Sequence, residues 1–107
     1  MSQTFTGVVQ FANGAPAANV SVRLFDADLL SEDDDLTVKP GLSNEKGVFT
    51  LIYDKSRDLD FADVYRPYLH FSYTHHGEPR SHKEDLQPHQ RDFRLPEIPP
   101  IKFIPAT

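Results

Sequence analysis

The chain has 107 residues, 38% hydrophobic and 25% charged, enough for one domain and too few for two separate cores. It contains no cysteine, which excludes a disulfide framework, a thiolate metal site and a cysteine nucleophile. The formal charge is −5, yet six carboxylates and no Lys or Arg fall between Asp26 and Asp35, so that segment carries −6 and the rest of the chain +1. The acidity is a local patch.

No basic stripe with interleaved aromatics occurs, so nucleic acid is not expected as a partner. No run approaches the roughly 20 apolar residues of a membrane helix, so no membrane span is expected. Residues Met1 to Thr6 have neither a basic nor an apolar leader region. The chain as given is therefore expected in the cytoplasm, or outside the cell if a signal peptide has been removed.

Taken in order, the apolar residues recur with period two. Phe5, Gly7, Val9 and Phe11 share one face of the first run, and Val20, Val22 and Leu24 one face of the second. Phe49, Leu51 and Tyr53 share a face of the third run, and Leu69, Phe71 and Tyr73 a face of the fourth. Turn residues separate the runs at Asn13-Gly14-Ala15-Pro16, Asn44-Glu45-Lys46-Gly47 and His76-Gly77-Glu78-Pro79. The pattern predicts an all-β antiparallel sandwich of about seven strands, near 4–12, 19–25, 37–43, 47–53, 67–75, 90–95 and 100–104. Asp54 to Val64 is expected to hold a helical turn, and His75 to Gln90 to be a long charged connection. The chain is expected to form a single domain over 1–107, with a Pro-rich C-terminal segment at 96–107 that closes a sheet edge or docks a protein partner.

The motifs Gly7-Val8-Val9, Asn13-Gly14-Ala15-Pro16 with Asn19-Val20-Ser21-Val22, and Lys46-Gly47-Val48-Phe49-Thr50-Leu51 resemble the carboxypeptidase regulatory-like and transthyretin-like sandwiches. Leu24-Phe25-Asp26-Ala27-Asp28 with Asp33-Asp34-Asp35-Leu36, and Arg66-Pro67-Tyr68-Leu69-His70-Phe71, are similar to the nematode-type transthyretin-like branch. The resemblance covers roughly residues 4–75 and implies a transthyretin-like (prealbumin-like) fold. Its motifs are core and turn residues, which specify a fold rather than an activity.

Two enzyme resemblances are incomplete. The transthyretin-like hydrolases of 5-hydroxyisourate carry a C-terminal Y-R-G-S, where this chain reads Ile104-Pro105-Ala106-Thr107. Intradiol dioxygenases carry R-P-x-H-x-H-F on an iron-binding strand, and Arg66-Pro67-Tyr68-Leu69-His70-Phe71 keeps one of those histidines. The expectation is a non-enzymatic binding or accessory module. Its alternatives are a small enzyme or transition-metal site built on His75, His76, His82 and His89, and a structural interaction domain. As a solvated loop, those histidines would simply titrate near neutrality.

The acidic patch is the sharper candidate. Asp26-x-Asp28 followed by Asp33-Asp34-Asp35 resembles the aspartate loop of synaptotagmin-type calcium-binding sandwiches. Calcium takes about 6–8 oxygens, more than one loop usually supplies. If the strands alternate in direction, the loop after the second and the loop after the fourth share one end. The latter holds Asp54, Asp58, Asp60 and Asp63. The candidate calcium ligands are thus Asp26, Asp28, Asp33, Asp34, Asp35, Asp58 and Asp60, with the histidine segment at the opposite end.

Overall fold

Period-two alternation becomes strand in each of these runs. The computed structural model describes residues 2–11, 13–27, 32–57, 66–86 and 92–95. Its strands are β1 (Gln3–Phe11), β2 (Ser21–Asp26), β3 (Asp34–Asp35), β4 (Thr37–Lys39), β5 (Gly41–Leu42), β6 (Val48–Tyr53), β7 (Pro67–His75), β8 (Glu78–Asp85) and β9 (Asp92–Leu95). A 3-10 turn at Lys55–Arg57 lies where the helical turn is expected.

One sheet has the order β4-β6-β1-β9 and the other β3-β2-β7-β8, with β5 also pairing β2. The chain is an all-β sandwich. Pairing is antiparallel except between β1 and β9, which run parallel. The two sheets close on Phe5, Val9, Phe11, Val20, Val22, Leu24, Phe49, Leu51, Leu69 and Phe71, all buried, with Tyr73 half-buried at the margin. Phe49 packs edge-on against Phe71 across the core, at 6.2 Å between centroids. Leu36 and Ala17, outside the alternating runs, are buried as well.

Two expectations are corrected. The strand expected at 37–43 is broken into pieces that change sheets, since β3 and β5 pair with β2 while β4 pairs with β6. Pro40 separates β4 from β5, and having no N–H it cannot continue a ladder. The charged segment after His75 is no connection but the strand β8, paired with β7 from Tyr68↔Asp85 to His75↔Glu78. Its two-residue turn has positive φ at both His76 (49°) and Gly77 (77°), the geometry that lets a tight hairpin follow the twist of its strands. The strand expected at 100–104 lies outside the described residues.

Two buried hydroxyls hold the irregular crossings. Ser43 Oγ donates to Ala17 O (2.6 Å) and accepts from Val20 N–H (2.8 Å). Thr37 Oγ1 accepts from Leu24 N–H (2.8 Å) and donates to Leu24 O (3.2 Å). Each side chain thus replaces ladder bonds that a sheet switch would leave unmade.

Candidate functional site

The acidic residues lie at the end of the sandwich where β2 and β6 finish. Asp26 continues the inward set of β2 and is only 2% exposed. Its Oδ1 accepts the Arg66 N–H (2.7 Å), and Ala27 N–H donates to Arg66 O (3.0 Å), so this carboxylate fixes the entry to β7. Asp34 sits opposite Asp26 in the β2–β3 pair. Asp35 Oδ1 accepts the Thr37 N–H (3.0 Å), and Oδ2 lies 2.8 Å from the Arg23 guanidinium. Burial alone would raise the Asp35 pKa, but the Thr37 and Arg23 interactions outweigh it and hold the carboxyl below its ordinary range.

Asp33 accepts the Tyr68 hydroxyl. Tyr68 is buried on the outer face of its sheet, stacked on Phe25 (5.5 Å, 11°) with Lys83 Nζ 4.1 Å above its ring. Burial, then the Asp33 carboxylate, pushes the phenol well above its usual pKa. Asp54 belongs to the same end, its N–H donating to Leu36 O (2.9 Å) and its carboxylate capping the 3-10 turn through Ser56. The carboxylates of Asp26, Asp33, Asp35 and Asp54 therefore all accept hydrogen bonds from the protein. Among the described residues no three His, Asp or Glu side chains form a group able to hold a metal. Asp28, Asp58 and Asp60 lie outside the described residues.

The histidines divide between two places. His75 closes β7 at 5% exposure with its ring 4.1 Å from that of His76, whereas His82 stacks on Phe71 (5.9 Å, 19°) from the inner face of β8. Burial lowers the pKa of His75 and of His82. His89 lies outside the described residues. His70 is on the outer face, edge-on to Phe25 and 3.3 Å from Ser72 Oγ.

A feature missed from sequence lies at the opposite end, beside the β7–β8 hairpin. A cleft of about 650 Å³ is lined by Ala18, Asn19, the β7 residues 72–74 and the β8 residues Pro79, Arg80 and Ser81. Arg80, paired with Tyr73 on the inner face, is the one charged residue among those lining it, and no acidic residue does, in a chain of net charge −5. Asn19 is held at φ 61°, a conformation uncommon outside glycine. Along the inner face of β8, Arg80 Nε, His82 Nε2 and Glu84 Oε2 are buried without hydrogen-bond partners among the described residues. The available signal was polar alternation, Arg80-His82-Glu84 against Ser81-Lys83-Asp85, which a search for apolar period two passes over.

No family model matches the chain, and no curated protein matches it. A 9R-lipoxygenase from Cyanothece PCC8801 is similar in structure, with TM-score 0.56 and 18% identity over 89% of this chain. The chain spans 16% of that enzyme's length. At this identity the likeness shows the sandwich architecture alone.

Proposed function

We propose that the chain is a non-enzymatic binding module whose cleft at the β7–β8 hairpin recognises a carboxylate-bearing partner. The observation that carries this reading is the lining: Arg80 is its one charged residue, and no acidic residue lines it. A cation with no acidic residue beside it suits a carboxylate, because a charge-assisted hydrogen bond is roughly twice as strong as a neutral one. Titrating succinate into labelled protein should shift the amide resonances of Asn19, Thr74 and Ser81. Arg80→Gln, which removes the one charge of the lining, should abolish the shifts. Their absence in the native protein overturns the reading.

Calcium at the acidic end is a second reading, favoured by one observation: the Asp54 N–H bond to Leu36 O joins the two acidic loops at a shared end. Millimolar calcium should then move the amides of Asp33 to Asp35, and Asp34→Asn should weaken the response. Unchanged resonances dispose of it.

A further inference from the structure

We infer that the carboxylate met by Arg80 is Glu84 of a second copy of this chain, and that two copies join edge to edge through β8 about a two-fold axis at His82. The inference rests on the reading that the Arg80 cleft receives a carboxylate, and it names the partner. In the sheet order β3-β2-β7-β8, β8 is terminal, and among the described residues nothing pairs with its second edge. That edge is eight residues long.

The hairpin determines which backbone groups face outward. A two-residue turn at His76-Gly77 makes His75↔Glu78 the closing hydrogen-bonded pair, so Tyr73↔Arg80, Phe71↔His82 and Leu69↔Glu84 also bond within the hairpin. Pro79, Ser81, Lys83 and Asp85 then direct their main chain to the open edge. Pro79, which has no N–H, sits where none is needed by the hairpin.

An antiparallel second copy can meet this edge in a few symmetric registers, and charge selects among them. Centred on Ser81, Arg80 faces His82 and Glu84 faces Glu78 of the other copy. Centred on Lys83, Arg80 faces Leu86. Centred on His82, Ser81 and Lys83 exchange main-chain hydrogen bonds with Lys83 and Ser81, and Arg80 faces Glu84 twice. Arg80 and Glu84 then occupy non-hydrogen-bonded positions, where Cα atoms approach to about 4.5 Å and side chains are closest. The same two residues carry buried polar atoms that have no hydrogen-bond partner among the described residues. Pairing supplies each with the opposite charge.

Charge reversal tests this with the whole chain. Sedimentation over a concentration series should show a reversible dimer for the native protein. R80E and E84R should each weaken self-association by at least about tenfold, because like charges then face one another. An equimolar mixture of the two variants should restore the dimer as a heterodimer, which a misfolded variant could not do. A native chain that stays monomeric at millimolar concentration overturns the inference and means that the inward charges guard the edge. Variants that dimerise as well as the native chain, or fail to pair on mixing, overturn it too. If the native chain is monomeric while succinate still shifts Ser81 and Asn19, the pairing fails and the binding module stands; if neither occurs, both fail.

Discussion

Ser43 shows how a single side chain substitutes for missing sheet. Its hydroxyl is buried, donating to Ala17 O and accepting from Val20 N–H, where the chain passes between elements and no ladder bond is available. Ser43→Ala strands both backbone groups, and the expected cost is about 1–3 kcal/mol in chemical denaturation. An unchanged midpoint would mean that water takes over both bonds. Gly47 is constrained differently: at φ 79°, a Cβ there would lie 2.3 Å from Val9 O. Backbone conformation and space both require glycine at this turn. Asp26 follows from the same alternation as Val22 and Leu24, and its inward position makes it a brace for Arg66.

At the scale of elements, β8 is the polar margin of the sandwich, and its titrating side chains set opposite pH dependences. His82 has its pKa lowered, first by burial and then by the nearby His70. The unfolded chain therefore binds more protons near pH 6, so this contribution to stability is complete above about 6.5 and declines as pH falls through the lowered folded value. Burial raises the pKa of Glu84. Its contribution is complete below the unfolded value near 4.3 and is lost as pH rises through the folded value, so the ionised carboxylate destabilises the single chain at neutrality. At dilutions where the chain is monomeric, Glu84→Gln should raise the melting temperature at pH 7 and have little effect at pH 3.5. His82→Phe should flatten the loss of stability between pH 6.5 and 5. Identical pH profiles for native and substituted chains would contradict both assignments.

For the whole molecule, stability depends on the contact between sheets. Phe71 on β7 meets Phe49 on β6 across the core, and His82, its neighbour on β8, stacks against its ring. Phe71→Ala should cost about 3–5 kcal/mol, a large share of the 5–15 kcal/mol typical of a folded domain. A loss below 1 kcal/mol in urea unfolding would show that the sheets are not held at this point. The two ends of the sandwich have separate tasks under the proposed reading: carboxylates at one end brace the strand entries, while donors at the other face a partner.

The inward sets of β1, β2, β6 and β7 were determined by sequence alone, because burial of one sheet face imposes period two on apolar residues. The turn glycines at 14, 47 and 77 were legible for a related reason, since positive φ selects glycine. The crossing of the 34–42 segment between sheets was decided by tertiary structure, as Leu36 and Thr37 gain their burial only from strands distant in the chain. So were the partners of the acidic patch. Charge density marks Asp26, Asp33 and Asp35 in the sequence, but Arg66 and Tyr68 reach the first two only when β7 pairs with β2, and Arg23 reaches Asp35 only when β3 does. The same pairing of β7 with β8 turns a charged stretch into a strand, because a polar edge is stabilised by its neighbour's backbone rather than by apolar residues of its own.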